Sequence, residues 1–269
     1  MKRGKPFLEV FASAVHEDYR FPILEIFVFF YALGTFAFAS FGSVLSTIGS
    51  SEEVVAYSLT SSVLGTPLFV FVILVFKNLA YGLGSDIEKG VIQTYLSYPL
   101  KRSRILSAKL LSAIGLSLLI LLGIQIPSLY LLAPSIVASH FGAVLLTYAA
   151  NLSPILFISG IILLATLIVR RGGLALVFGI ILYFAFSIAS SMLMFTAFAT
   201  KSPTILQILS VFYPSTALSR YYGMRFYPGG EEFWTPTFKE VALYIGASYL
   251  ITILTFAIAY IYFCRRFGV

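Results

Sequence analysis

The sequence is poor in the residues that most site chemistry needs. It has one cysteine, Cys264, which excludes an internal disulfide and any multi-cysteine metal site. Its two histidines, His16 and His140, are assigned below to opposite sides of a membrane, so no metal site or acid–base pair is expected from them. His16-Glu17 lacks the second histidine of a zinc-protease motif, and no Asp-rich diphosphate motif occurs. There is no Gly-x-x-x-x-Gly-Lys-Ser/Thr, so this chain cannot itself cradle ATP phosphates. No enzymatic activity, metal or cofactor is therefore expected in it. Asparagine (two) and glutamine (three) are scarce, as in thermophilic proteins. Charge is scarce as well. Asp, Glu, Lys and Arg make up 11% of residues, against about 25% in an ordinary soluble domain.

What is present is apolar. Of 269 residues 59% are hydrophobic, and the mean hydropathy is +0.96. A soluble fold of this size has too little interior to hide so much apolar surface, and a disordered chain would be polar. The composition predicts an all-α, polytopic membrane protein forming a single transmembrane domain over 1–269. Six runs approach or exceed the ~20 residues that cross a bilayer: Pro22–Leu45, Ser58–Leu83, Ile105–Leu132, Ala143–Val169, Gly173–Phe198 and Val241–Phe263. They lack the alternation of a membrane barrel, and no internal repeat relates the two halves. The first run is too long for a cleaved signal peptide.

Basic residues set the orientation. With the N-terminus in the cytoplasm, fourteen Lys and Arg lie inside, and only Lys201, Arg220, Arg225 and Lys239 lie outside. The positive-inside rule then puts both termini in the cytoplasm of a plasma-membrane protein. The net charge of +7 follows from topology, and no nucleic-acid partner is needed. Residues 1–21 read as an amphipathic helix in the inner interface, with Phe7, Leu8, Phe11 and Val15 on one face and Glu9, Ser13, His16 and Glu17 on the other. Among the polar side chains within spans, four are candidates for a role. Glu25 and Lys77 lie at matching depths and could pair, or each could snorkel separately. Gln125 and Asn151 could line a pathway or hold helices together.

The stretch 84–104, between the second and third runs, carries the most information. Ser85 and Glu88 have capping-box spacing, so a helix is expected to start there. Ile87, Val91 and Tyr95 form a stripe, with Leu96 beside it, and Pro99 ends the helix. Lys101, Arg102, Arg104 and Lys109 are expected at lipid phosphates. Physics alone reads this as a solvated loop with an interfacial helix.

The order of features resembles the permease subunits of type-2 ABC exporters. That family carries an acidic residue, Glu-x-Gly, a short amphipathic stretch, a Pro followed by basic and hydroxyl residues, and a Lys one turn into the third span. Here Asp86, Glu88, Gly90, Leu96, Pro99, Arg102, Ser103 and Lys109 occupy those places. Leu100 and Lys101 stand where small residues are common. The resemblance extends to the amphipathic start, the six spans and the long outer segment 200–240 with Tyr213-Pro214. It implies that Asp86, Ile87, Glu88, Gly90, Val91, Tyr95, Leu96 and Pro99 belong to a cytoplasmic coupling helix. That helix would dock on a separate ABC ATP-binding subunit, expected in two copies, which would hold ATP and Mg. It further implies a dimer with itself or a paralogous permease, and an outer segment folded into short helices. Two rival readings are an ion-gradient-driven secondary transporter and a non-transporting membrane scaffold. The sequence does not identify a substrate.

Overall fold

The computed structural model describes residues 6–42, 51–97, 100–226 and 233–267. Lys2, Arg3, Lys5, the end of the first apolar run, Pro99 and Tyr227 lie outside the described residues. Those described form helices and short connections, with no strand among them. In chain order they are α1 (Pro6–Asp18), α2 (Ile23–Gly42), α3 (Glu52–Glu88), α4 (Val91–Ser97), α5 (Arg102–Leu132), α6 (Pro134–Ser139), α7 (Phe141–Val169), α8 (Gly172–Thr200), α9 (Pro203–Phe212), α10 (Pro214–Phe226) and α11 (Phe238–Arg266). Five of them, α3, α5, α7, α8 and α11, are long and apolar enough to cross a membrane. A sixth crossing results if α1 and α2, bent by 66°, are counted together.

α7 is the central helix and packs on α3, α8, α10 and α11. Its buried face runs from Val144 through Ile158 to Leu167. α8 instead turns Ile181, Phe184, Ile188 and Phe195 outward. An apolar exterior of that kind suits a hydrocarbon surrounding. Pro154 and Pro127 sit inside α7 and α5 without ending them.

Two long helices each contain one wide, π-type turn: Lys77–Gly82 in α3 and Leu111–Leu116 in α5. Both lie toward the end of the bundle where the basic residues gather, and both touch α1.

The expected helix start at Ser85 does not occur. Leu83 and Ile87 continue the buried face of α3, so Ser85 lies within a helix that runs on to Glu88. The stop is at Lys89-Gly90, where Gly90 takes φ +77°, a left-handed conformation that glycine adopts without steric cost. α4 starts afresh at Val91. Ile87, Val91 and Tyr95 therefore do not form one continuous stripe: Ile87 is in the core, Val91 and Tyr95 are half-buried, and the fully buried residue of α4 is Ile92.

At the other end, residues 203–226 form two short helices, α9 and α10, each begun by a proline. The Tyr222 ring stacks on Tyr57 at 4.5 Å, and its hydroxyl donates to Glu53 at 3.1 Å, tying α10 to the start of α3. A capping box of Thr237 and Glu240 starts α11.

Candidate functional site

The densest polar cluster lies where α1 ends against α3 and α5. Pro6 can open α1 because the first helical turn needs no N–H from it. Val10, Ala14 and Asp18, spaced by four, face the protein. Leu8, on the apolar face assigned to the membrane interface, is 54% exposed. The small Ala14 allows α1 to pack closely, and the charges at its end meet those of α3 and α5.

Lys109 is the centre of this cluster. Its ammonium lies 2.5 Å from Asp86 Oδ2 and 3.0 Å from Glu17 Oε2. It is nearly buried, so it does not serve lipid phosphates as expected, and Asp86, 2% exposed, is not free to meet an outside partner. The reason is electrostatic. A buried carboxylate and a buried ammonium each cost several kcal/mol alone, and each lowers the cost of the other. Burial acts to raise the Glu17 carboxyl, but the hydrogen bond and charge of Lys109 outweigh it and hold Glu17 below the usual carboxylate range.

Asp18 forms the second part. Its Oδ2 accepts a 2.6 Å hydrogen bond from Ser112, in the wide turn of α5. Its backbone carbonyl accepts from Lys77 Nζ at 2.8 Å, in the wide turn of α3. Burial pushes the Asp18 carboxyl up to about 6 despite the Ser112 bond and the nearby ammonium groups. Next to it the Tyr19 hydroxyl donates to the Ser112 carbonyl at 2.9 Å and lies 2.7 Å from Ser117 Oγ. The Asn78 amide and the Tyr31 hydroxyl are buried without a hydrogen-bond partner among the described residues. One helix end thus fastens two long helices through three side chains and a carbonyl.

α3 is also fixed to α8. Glu88 Oε2 accepts from the Gly172 amide at 3.3 Å, at the positive end of α8. Gly84 makes this approach possible, since a Cβ there would lie 2.6 Å from Gly172 Cα. α4 is tied to α1 by Tyr95 and Ser13, whose hydroxyls lie 3.0 Å apart. Leu96 packs on the core. Lys89, Thr94 and Ser97 are exposed, together with the flank of Glu88.

Of the two readings left open for Glu25 and Lys77, the pair is not formed. Glu25 is exposed on α2, and Lys77 turns to α1 instead. The two matched in depth but not in direction. Arg102 donates to the Phe267 carbonyl at 2.9 Å, closing the last turn of the chain, while Lys101 and Arg104 are exposed. Deeper in the bundle, Gln125 donates to Thr35 Oγ1 at 3.2 Å and the Val63 carbonyl at 3.4 Å, and accepts from Tyr148 at 3.0 Å. It joins four helices. Asn151 bonds the Thr147 carbonyl of its own helix.

Glu17, Asp18, Tyr19, Asn78 and Ser112 were not singled out from sequence. A signal for Ser112 exists: it stands one turn beyond Lys109, on the same face of α5. Among the described residues no group of acidic, histidine or cysteine side chains could hold a metal ion. The chain matches no protein-family model and no curated protein with which it was compared.

Proposed function

We propose that this chain is the membrane subunit of an ATP-driven exporter of the type-2 ABC class. It works as a dimer with itself or a paralogue, both termini in the cytoplasm of the plasma membrane, on two separate ATPase subunits that hold ATP and Mg. The chain itself catalyses nothing. The observation that carries this reading is the attachment of α4 and the end of α3. A small solvent-facing element there is fastened to α1 by Ser13–Tyr95, to α5 by Asp86–Lys109 and to α8 by Glu88–Gly172. Force applied to it reaches three other helices through short polar contacts. The surface offered to an ATPase is narrower than the coupling helix expected from sequence: Lys89, Thr94 and Ser97 with part of Val91.

The test is a search for an ATP-binding subunit encoded beside this gene, followed by its co-purification with the chain. Val91→Asp and Thr94→Asp would each put a charge into the contact, at a cost of several kcal/mol if it is desolvated. Each variant is expected to insert and dimerise normally but lose the ATPase and transport. Full ATPase retention by both would reject the assignment. The lone chain is expected not to hydrolyse ATP.

One observation favours a second reading, a transporter driven by a proton gradient: Asp18, a buried carboxyl whose pKa of about 6 lies near physiological pH, sits between two wide helical turns. Uptake or export in vesicles that persists without ATP and collapses with the pH gradient would select it.

A further inference from the structure

α1 has a face that the polar cluster leaves unused. Phe11, Ala12 and Val15 of α1, Leu24 of α2, and Leu116 and Ile120 of α5 line a groove of about 730 Å³. The groove exists because α1 and α2 meet at a 66° bend and cannot close on each other, while α5 forms the back wall. Its volume falls in the range of roughly 300–1,000 Å³ that holds a small ligand.

The lining is apolar except at the C-terminal end of α1, where His16 lines the groove and Arg20 is exposed at the bend. Of the carboxylates on α1, Glu17 is taken by Lys109 and Asp18 is turned inward, which leaves Glu9 facing out. An apolar slot with a cationic mouth matches one kind of occupant, a molecule with a hydrocarbon tail and an anionic head.

We propose that the groove between α1, α2 and α5 binds one acyl chain of an anionic phospholipid of the inner leaflet, with its phosphate at Arg20 and His16. The proposal rests on the membrane placement of the chain and not on exporter activity. The occupant reaches the polar cluster through one residue. Tyr19 lines the groove with its ring and holds Ser112 and Ser117 with its hydroxyl. A filled groove therefore backs the ring that fixes α1 to the wide turn of α5.

The test uses the full chain, purified in mild detergent and supplied with phosphatidylglycerol or phosphatidylcholine. Bound lipid is counted by native mass spectrometry and thermal stability is followed in parallel. Wild type is expected to retain one phosphatidylglycerol about fivefold better than phosphatidylcholine, the weight of one basic residue at an anionic surface, and to melt higher with it. Ala12→Trp fills the slot and is expected to lose both the retained lipid and the increment. Arg20→Gln is expected to keep a lipid and lose the preference. Ile181→Trp, on the outward face of α8, is expected to behave as wild type. Equal retention of phosphatidylglycerol by Ala12→Trp and wild type would overturn the site. Equal retention of the two lipids by wild type, or an undiminished preference in Arg20→Gln, would overturn the anionic head.

Discussion

Replacing Lys109 by methionine tests whether the cluster at the end of α1 holds the fold together. Methionine keeps most of the side-chain volume and removes the charge. The ammonium is 6% exposed and its nearer partner, Asp86, 2%, so the substitution strands a carboxylate that water cannot reach. Breaking one side of such a buried pair costs about 3–5 kcal/mol. Glu17 is 48% exposed, and its loss as Glu17→Gln is expected to cost under about 1 kcal/mol. Asp86→Asn combined with Lys109→Met leaves no stranded charge, so the double variant is expected to be more stable than Lys109→Met by about 2 kcal/mol. Denaturant unfolding in mixed micelles, followed at fixed pH, measures wild type, the single variants Lys109→Met, Asp86→Asn and Glu17→Gln, and the double variant. Acidification is expected to narrow the gap between Lys109→Met and wild type, because the stranded Asp86 can then take a proton. Two results would refute the reasoning: single-variant losses that simply add in the double variant, or a Lys109→Met no less stable than Glu17→Gln.

Asp18→Asn tests the second part of the cluster. The Asp18 carboxyl rises from 3.8 to about 6 on folding, so its contribution to stability is fully present below pH 3.8 and is lost as pH rises to about 6. The swing is about 3 kcal/mol at about 1.4 kcal/mol per pH unit. Thermal melts from pH 4 to 8 should show the variant gaining on wild type as pH rises; parallel curves would contradict the burial argument. Gly84→Ala brings a Cβ against Gly172 and is expected to cost about 1–3 kcal/mol, with loss of amide protection at the start of α8 in hydrogen exchange. Gln125→Leu leaves the Tyr148 hydroxyl unpaired and is expected to lower stability by about 1–2 kcal/mol without changing transport, the readout that separates helix joining from a pathway role. Cysteines placed at Ser97 and Ser202 in a Cys264→Ser background are expected to label from opposite sides of the membrane.

The apolar runs were legible because their length is set by a single physical dimension, the thickness of a bilayer. Five of the six reappear as long apolar helices, with the described part of the first forming α2. The short helices of the 200–240 segment were implied by the family resemblance, and Pro203 and Pro214 start them. Rotation about each helix axis was not legible. Glu25 and Lys77 share a depth, but one faces out and the other turns to α1. Asp86 and Lys109 were both singled out, one for a protein partner and one for lipid, although each is the other's partner. Glu17, read as part of a solvated face, completes that pair. Capping-box spacing at Ser85 misled because the same four residues also fit inside a helix whose buried face was already set by Leu83 and Ile87.

The two wide turns explain part of that loss. A π-type turn holds one residue more than a regular α-helix, so everything beyond it is rotated by about 100° relative to an unbroken pattern. Asp86 follows the wide turn at 77–82, and Ser117 follows the one at 111–116. A regular α3 would aim Asp86 about a quarter-turn away from Lys109, and a regular α5 would do the same to Ser117 with respect to Tyr19. The polar contacts and the wide turns are therefore two sides of one arrangement. Each wide turn also carries an α1 contact at its start, through Lys77 and the Asp18 carbonyl in one helix and through Ser112 and the Asp18 carboxylate in the other. An apolar pattern read at constant pitch cannot register such a turn, since the residues on either side remain equally hydrophobic. This is why helix number and length could be read from composition, while the cluster that joins the helices could not.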